Sequence, residues 1–495
     1  MPSSSPRLGN GGPSTRHRTP TTVYILTAGR SPALGPFCTN YNKSLLPVGG
    51  KAVLSLLIRL FPQDRWTKFV IATGFEAQKV KDYVHCAHPN IDVTFVDVPN
   101  YDGPGSGPGA SLLACKNAAV ATAGETSPFY IVVGDLFISN VKEDGMATAS
   151  WSVMQPSDLF PGGPGARDGA TVGARPSGHR KRVPANSCNW VATQFVSPFG
   201  SDKYCNFALG EKGSVLQVKN RQIYGSYQDA SWIGLAYVQN ADAFWVGLET
   251  EVARKLELAQ NAAPGVKVPP SEIVAGFEYM LESGYDLKAR QYRSWVDIGS
   301  PGEYLDLVKE HLGAGFDYGK TGEHLYFCGG RVIKFFEDAE ITAQRVARCQ
   351  MVPGVFPNVD RFQGNFYSYK FIDGEVLYRK CDDHVFQMLL EFLETKVWPG
   401  PPSREGSTSH SDEQEDEQEF EAACFRFYVE KTRKRVAAYL AKYPDRTALD
   451  HADRVARING VQVEGIQKLI DERVDLVSFT ATYSSTISCT TTGKT

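Results

Sequence analysis

The stretch TVYILTAGRSPALG, residues 22–35, places a short apolar run directly before a glycine turn. The run VYIL, residues 23–26, is rich in β-forming residues, and Gly29 follows it closely. This pattern predicts a buried strand whose carboxyl end opens onto a ligand crevice. An ordinary strand-to-helix turn explains the glycine alone equally well, so the prediction of a ligand site depends on motifs farther along the chain.

Composition narrows the class of protein. The chain has 495 residues, 42% of them hydrophobic and 22% charged, which is enough for two or three domains with real cores. Its net charge of -3 gives no field that would attract nucleic acid or an anionic membrane. The 10 cysteines show no CxxC pair, which favours a reducing, cytoplasmic environment. With no apolar stretch of 18 or more residues, we expect no membrane span.

Apolar runs and helical patterns alternate from Thr21 to Asp135. The run KFVIATGF (residues 68–75) is strand-like, KAVLSLLIRLF (51–61) has helical spacing, and FYIVVGD (129–135) is again strand-like. Strands separated by helices predict right-handed crossovers and a mainly parallel, Rossmann-like α/β sheet. Ligands then bind at the carboxyl ends of the strands, where Gly29 and Asp135 fall.

The same patterns predict the domain organisation, which is a leader, an α/β domain, a smaller α+β region and a tail. Loss of periodicity in Gly-, Pro- and Arg-rich sequence predicts an insertion in the first domain, and a Pro/Ser-rich then acidic tract predicts a linker in the second. The predicted ranges are a disordered leader 1–20, the first domain 21–312 with a disordered insertion at about 155–186, the α+β region 322–476 with a linker at about 400–421, and a disordered tail 477–495.

Three kinds of residue that handle phosphate occur in a plausible order. Such a site needs backbone amides near the anion, a cation to neutralise charge, and carboxylates to hold magnesium. Taken singly, each candidate is also explained as a turn glycine, a surface lysine, a flexible loop or a capping aspartate. The candidates are Gly29, Lys43 in NKSLLPVGGK, the glycine loop GPGSGPGAS (103–111) with Gly105, Gly107 and Gly109, and the strand-end residues Asp135 and Asp297.

The motifs LTAG, NKSLLPVGGK, VVGD and WVDIGSPGEYL, with the glycine loop between the second and third, resemble those of the nucleotidyltransferase superfamily in sequence order. This superfamily comprises sugar-1-phosphate nucleotidylyltransferases and their phosphocholine cytidylyltransferase relatives, and the resemblance covers residues 21–311. It implies that an NTP and a phosphorylated small molecule bind as substrates, with Mg²⁺ as cofactor. The implied roles are nucleotide binding by Leu26, Ala28, Gly29, Gly105, Gly107 and Gly109, catalysis by Lys43, Asp135 and Asp297, of which the two aspartates bind magnesium, and acceptor binding by Lys219.

The implied reaction is direct, in-line attack of an acceptor phosphate on the α-phosphorus of the NTP, with release of pyrophosphate. One position departs from the family's LxxGxGxRL loop, because LTAGRSPAL has Ser31 for the second glycine and Ala33 for the arginine. Loss of that cation puts activity in question. Arg30 is the candidate to replace it. The alternative is a catalytically weakened protein that binds nucleotides or NDP-sugars and regulates a partner.

The run RVIKFFED ends a strand-like pattern in which Lys334 resembles the ATP-binding lysine of aminoglycoside or choline kinase-like folds. No HxDxxxxN catalytic loop comes after it, so the resemblance is to part of a kinase. A small α+β domain with a surface lysine is the other interpretation, and a bifunctional nucleotidyltransferase/kinase is a further alternative. The sequence identifies neither the base nor the acceptor.

Overall fold

A computed structural model describes residues 21–123, 127–138, 188–263, 266–292, 295–311, 322–351, 353–374 and 377–397, and short stretches within 422–463. The predicted leader, insertion, linker and tail lie outside these residues. The chain divides into two compact units, Met1–Cys381 and Asp382–Thr495. Residues 312–321, where the predicted domain boundary falls, are also outside the described part.

The first unit contains seventeen described strands. They are β1 (Thr21–Leu26), β2 (Pro47–Val48), β3 (Lys51–Ala52), β4 (Thr67–Thr73), β5 (Asp92–Asp97), β6 (Phe129–Val133), β7 (Leu136–Ile138), β8 (Asn189–Gln194), β9 (Cys205–Leu209), β10 (Val215–Asn220), β11 (Asp229–Val238), β12 (Leu287–Gln291), β13 (Trp295–Asp297), β14 (Glu323–Cys328), β15 (Arg331–Phe336), β16 (Val359–Gln363) and β17 (Phe366–Lys370).

Its described helices are α1 (Val53–Ile58), α2 (Ala77–Ala87), α3 (Pro108–Ala123), α4 (Ala241–Asn261), α5 (Val274–Glu282), α6 (Pro301–His311), α7 (Ala339–Met351) and α8 (Leu377–Lys380). Short 3₁₀ turns occur at Pro32–Phe37, Lys43–Leu45, Ser201–Lys203 and Glu211–Gly213. The second unit includes α9 (Asp383–Phe392) and the strand pair β18 (Ala456–Ile458) and β19 (Val461–Val463). Every helix in the described part of the chain is too short or too polar to span a bilayer.

The central sheet has the order β10-β9-β11-β6-β1-β4-β5, with β8 paired to β11 and β12 to β8. Strands β6, β1, β4 and β5 are parallel to one another, whereas β11 and β9 extend the sheet in the antiparallel sense. The predicted α/β fold with a mainly parallel central sheet is confirmed, and antiparallel strands enlarge it beyond β6.

Burial on both faces explains why the first strand is almost continuously apolar. Val23 and Ile25 join a core cluster on one face, which also contains α1 and α2. Tyr24 and Leu26 point the other way, into a cluster that contains α3, α4 and α5. Because side chains alternate along a strand, four consecutive apolar residues fill two cores, and the strand's carboxyl end is left to face the ligand crevice.

Strands β14 to β17 form a separate antiparallel sheet in the order β14-β15-β17-β16. One face, through residues such as Tyr326 and Phe335, joins the same core cluster as α1 and α2. The other face packs Phe336 and Tyr367 with Val346 of α7. This C-terminal sheet is therefore α+β in character, as predicted, and shares its core with the α/β domain.

Candidate active site

A cleft of about 420 Å³ opens at the carboxyl ends of β1 and β6. This is the edge at which parallel α/β sheets bind ligands. Its lining includes positively and negatively charged side chains, together with glycines and aromatic rings. The lining residues are Leu26, Ala28, Gly29, Lys43, Tyr101, Gly107, Pro108, Ser111, Val133, Gly134, Asp135, Leu136, Lys203, Tyr204, Cys205, Asn220, Arg221, Trp232, Ile233, Gly234, Glu272, Ile273, Val274, Trp295 and Asp297.

Asn42 fixes the backbone that carries Lys43. Its side-chain Nδ2 donates to the carbonyls of Thr27 and Phe75, both at 2.8 Å, and its Oδ1 accepts from the amide of Ser44 at 3.0 Å. Asn42 is completely buried, and an amide side chain satisfied on both ends is a rigid connection. It therefore ties the NKS turn to the segments that come after β1 and β4.

Lys43 and Asp135 form an ion pair within the cleft. The Nζ of Lys43 lies 2.6 Å from Oδ2 of Asp135, and the side chains are 21% and 25% exposed. Gly134, the residue before this aspartate, allows the close approach of two strand ends. A Cβ at Gly134 would lie 2.4 Å from the Leu26 carbonyl oxygen, so any side chain there would push β6 away from β1.

Asp297 reaches the same place from a different part of the chain. Strand β13 pairs antiparallel with β7, with Asp297 opposite Leu136, next to Asp135 in sequence. Two carboxylates 162 positions apart therefore meet beside one lysine. Sequence reasoning predicted both, and the structure brings them together.

The electrostatics of the pair are those of a partly buried, like-charged site. Burial, Asp135 and Glu303 raise the pKa of Asp297 to about 6, although Lys43 and a hydrogen bond from Tyr204 oppose the shift. For Lys43, burial would lower the pKa, but Asp135 and Asp297 outweigh it and the net direction is upward. The lysine is thus a fixed cation, and Asp297 is the carboxylate whose charge is costly.

The glycine loop contributes unequally to the cleft. Gly107 lines the cleft and has φ of +147°, and a Cβ there would lie 2.5 Å from the Ser271 carbonyl oxygen. Gly109 instead donates its amide to that carbonyl at 2.8 Å, and Gly105 packs near Leu256. Of the three predicted glycines, Gly107 faces the cleft, Gly109 fastens the loop to Ser271, and Gly105 lies against Leu256.

Helix α3 begins at Pro108, so its amino end also lies at the cleft wall. The helix dipole makes such an end favourable for anions, but its first amides are already used, because Pro108 has no N–H and the amides of Gly109 and Ala110 donate to Ser271 at 2.8 and 2.9 Å.

Some residues at the end of β1 and in the turn after it line the cleft, and others do not. Leu26, Ala28 and Gly29, for which nucleotide binding is predicted, line the cleft. Arg30 is exposed, does not line the cleft, and places its Cζ 4.8 Å from the centroid of the Phe75 ring. Position 33 is an exposed alanine on the 3₁₀ turn.

Two predicted lysines lie outside the cleft lining. Lys219 pairs through Nζ with Asp229 Oδ2 at 2.8 Å, an aspartate that also accepts from the amide of Gly225 at 2.7 Å. Lys334 lies on β15, 5.9 Å from the centroid of the Tyr369 ring, where burial and nearby Arg345 lower its pKa.

Sequence reasoning missed the wall formed by β9 and β10. These strands pair antiparallel with Cys205 opposite Asn220, so Tyr204 and Arg221 meet at the ends of the hairpin, where the Arg221 amide donates to the Tyr204 carbonyl at 3.2 Å. Arg221 is held by Glu272 Oε1 at 3.0 Å and has φ of +51°. Two strand-like runs joined by GEKGS were the available hairpin signal.

Asp135 and Asp297 supply the kind of ligand that magnesium prefers, and both line the cleft. Magnesium prefers hard oxygen ligands and commonly takes one or two carboxylates plus phosphate oxygens. The raised pKa of Asp297 is the sign of a charge that a bound cation would relieve. Within the described residues no cluster of three or more metal-ligating side chains occurs.

No protein-family model matches the chain, and no curated protein sequence matches it. Solved structures do show similarity. One is a Bacillus anthracis protein assigned as a glucose-1-phosphate thymidylyltransferase, with 16% identity over 61% of this chain and 98% of that one, and a TM-score of 0.40. A UDP-glucose pyrophosphorylase complexed with UDP-glucose has 15% identity over 59% and 98%, with a TM-score of 0.39. A UTP-bound UGPase from Acinetobacter baumannii has 13% identity over 59% and 93%, with a TM-score of 0.40.

Proposed function

We propose that the chain is a nucleotidyltransferase, which transfers NMP from an NTP to a phosphorylated sugar or small alcohol and releases pyrophosphate. The observation that carries the proposal is the meeting of Lys43, Asp135 and Asp297 in one cleft at the end of β1. A structural ion pair needs one carboxylate, whereas a second carboxylate, whose pKa is raised by burial and by the first, costs stability. Such an arrangement is typical of a functional site.

In this proposal the nucleotide occupies the wall formed by Leu26, Ala28, Gly29 and Gly107. The dipole of α3 favours the phosphates at its amino end, while the bond from Gly109 to Ser271 holds the glycine loop, which includes Gly105, in place. Lys43 supplies the fixed positive charge that stabilises the charge developing on the transferred phosphoryl group.

Asp135 and Asp297 would hold Mg²⁺, which when bound neutralises phosphate charge and orients the oxygens. Asp297 must lose its proton to serve, and Tyr204 favours the ionised form by donating a hydrogen bond to it. The reaction requires the substrates to be positioned and the phosphate charge to be neutralised, so no nucleophilic side chain is required.

We assign the acceptor phosphate to the wall formed by Lys203 and Arg221, both of which line the cleft. Arg221 has a guanidinium suited to paired contacts with phosphate, and Glu272 holds it in place. Lys219 then contributes to acceptor binding indirectly, because its pair with Asp229 stabilises the turn beside this wall.

The test incubates purified full-length protein and Mg²⁺ with each NTP against a panel of sugar 1-phosphates, phosphocholine and phosphoethanolamine. Pyrophosphate release is measured for the natural chain, for Asp135→Asn and for Asp97→Asn. Asp97 is a matched control because it also pairs with a lysine, Lys81, at 2.7 Å, but outside the cleft lining. Release that needs one NTP and one acceptor and is lost only in Asp135→Asn supports the proposal. Release that survives Asp135→Asn contradicts it.

A second candidate is a weakened protein that binds nucleotides or NDP-sugars and regulates a partner. The turn after β1 favours it, because Ala33 carries no charge and Arg30 lies over Phe75. Calorimetric titration separates the two functions: nucleotide binding without turnover across the whole panel supports regulation.

The third candidate adds kinase activity to the transferase. The basis is the position of Lys334 on β15 of a small antiparallel sheet. Against it, burial and then nearby Arg345 of α7 lower the pKa of Lys334, so this lysine is a less secure cation than Lys43, whose pKa is raised. Transfer of the γ-phosphate of ATP to choline, ethanolamine or a sugar, lost in Lys334→Ala, would support this candidate.

A further inference from the structure

We propose that the C-terminal sheet is a working part of the nucleotidyltransferase site, because strand β14 positions Lys43 and does so through Tyr326. The inference rests on the proposed function and assigns a role to a region outside the cleft lining. Tyr326 is a positioning residue in this scheme, since it acts on the backbone that carries the lysine. We call this backbone, residues 40–50, the lysine segment.

Two tyrosines connect β14 to the middle of the lysine segment. The hydroxyl of Tyr326 donates to the carbonyl oxygen of Leu45 at 2.8 Å, two residues beyond Lys43. The hydroxyl of Tyr41, two residues before Lys43, is hydrogen-bonded to that of Tyr326. Because the Tyr326 proton goes to Leu45, Tyr41 is the donor in the second bond. One side chain of β14 therefore holds the chain on both sides of the lysine.

Two further contacts hold the ends of the lysine segment. Asn40 donates through Nδ2 to Glu337 Oε1 at 2.9 Å, just after β15. The amide of Phe327 donates to the Gly50 carbonyl at 2.7 Å. Gly50 has φ of +73°, and a Cβ there would lie 2.9 Å from the Phe327 ring, so glycine permits this close approach. The segment is thus fastened to the C-terminal sheet along its length.

The lysine segment has little secondary structure of its own to keep Lys43 in place. Its 3₁₀ turn spans only Lys43–Leu45 and is weakly held by itself, so the side chains of Asn42, at its start, and Tyr326, at its end, fix it. Leu45 is completely buried and Tyr41 is 5% exposed, so water does not readily replace a lost Tyr326 hydroxyl. The Tyr326→Phe change should therefore loosen the turn while leaving the packing of the ring intact.

Hydrogen–deuterium exchange of the full-length protein tests the local effect without any substrate. We expect amides of residues 42–46 to exchange about fivefold faster in Tyr326→Phe, the factor expected for one lost hydrogen bond. The matched control is Tyr83→Phe. Tyr83 is another fully buried tyrosine, and its ring packs edge-on against that of Tyr326 with centroids 5.1 Å apart. Its hydroxyl, however, bonds Ser55 at 2.6 Å, outside the lysine segment, and phenylalanine keeps the ring contact and removes only the hydroxyl.

Faster exchange of residues 42–46 in Tyr326→Phe alone supports the inference. Unchanged exchange overturns it, as does an equal rise in both variants or throughout the first unit, because those results describe general loosening. This measurement stands apart from the proposed function. If the natural chain showed no turnover, the proposed transferase function would be contradicted, but the exchange result would still stand.

A double-mutant cycle then tests the connection to Lys43. Tyr326→Phe should lower kcat about fivefold with little change in the KM for the NTP, whereas Tyr83→Phe should leave both unchanged. In a Lys43→Ala background, Tyr326→Phe should have no further effect on kcat, because the residue through which it acts is gone. An equal fall in both backgrounds would contradict positioning through Lys43.

Discussion

Lys43 and Lys219 each pair with an aspartate at nearly the same distance, 2.6 Å to Asp135 and 2.8 Å to Asp229. Their lysine side chains are also similarly exposed, at 21% and 19%. The two aspartates differ, because Asp135 is 25% exposed and Asp229 only 1%. The same kind of lysine–aspartate pair therefore occurs once at a partly exposed aspartate and once at a buried one.

Asp229 is saturated by its own turn. Its carboxylate accepts from Lys219 and from the amides of Gly225 and Ser226 at 2.7 and 3.2 Å. Asp135 instead borders a cleft and has a second carboxylate, Asp297, beside it. A saturated buried pair specifies a turn, whereas an open pair with excess negative charge is suited to a cation and an anionic ligand. The difference predicts that loss of Lys43 mainly lowers turnover, whereas loss of Lys219 mainly lowers stability.

The largest expected effect is on turnover in Lys43→Ala. Removing a cation aimed at the reacting phosphate should lower kcat about 10²–10³-fold. Steady-state pyrophosphate release measures it, with Lys81→Ala as the control for loss of a lysine paired with an aspartate, Asp97. A fall of less than about tenfold, compared with that control, would remove the distinction between the two pairs.

The next effect is on stability in Lys219→Ala. Asp229 would be left as a buried charge without its partner, which typically costs about 3–5 kcal/mol. We expect the free energy of unfolding in urea to fall by about 3 kcal/mol, with a smaller loss in kcat than for Lys43→Ala. Lys309→Ala is the control, because its pair with Asp306 is 72% and 79% exposed. If Lys219→Ala unfolds no more easily than this control, the turn does not depend on the pair.

The fold was predictable where local pattern and tertiary burial agree. The run 23–26 is apolar on both faces because both faces are buried. The helical pattern at residues 51–61 was only partly correct. Gly49 and Gly50, with φ of +54° and +73°, turn the chain so that Lys51–Ala52 pair as β3 before α1 begins. Spacing of apolar residues cannot show that such a hairpin takes the first two residues.

The candidate site was predictable in its acids and its lysine, but not in its second wall. Lys43, Asp135 and Asp297 were predicted because short motifs mark them: the two aspartates lie at strand ends, and Lys43 opens a 3₁₀ turn. The partner of Lys219 was not, because a turn must fold back over ten residues to bring Asp229 to it. Tyr204 and Arg221 belong to no motif, and strand pairing alone brings them to the cleft.

The effect of Asp297→Asn on stability should depend on pH, because the pKa of Asp297 is raised. The folded pKa of Asp297, about 6, lies above its ordinary value of 3.8. The folded protein therefore binds more protons than the unfolded chain between these pH values. This group's contribution to stability is greatest below about pH 4, falls as the pH rises to about 6, and stays low above that.

Asparagine cannot ionise, so Asp297→Asn should raise the Tm at pH 7.5 and converge with the natural chain near pH 4. Thermal unfolding at several pH values measures this. The variant should also lose the rise in Tm that Mg²⁺ with an NTP gives the natural chain. Asp229→Asn provides the contrast, since it should destabilise the protein at pH 7.5. If Asp297→Asn lowered the Tm at pH 7.5 as well, the carboxylate would be structural.

The smallest effect is expected from Arg30→Ala. Its exposed guanidinium lies over the Phe75 ring, and leaving an exposed aromatic face costs about 0.5–1 kcal/mol. That cost offsets part of what the cation gains on reaching the phosphates, so we expect kcat to fall about fivefold, far less than in Lys43→Ala. Arg65→Ala is a matched control, because Arg65 is also exposed with its Cζ 4.8 Å from an aromatic centroid, that of Trp66. Nucleotide affinity and turnover that stay the same in both variants would show that Arg30 does not replace the missing loop arginine, and Lys43 would then act without a cation from the first turn.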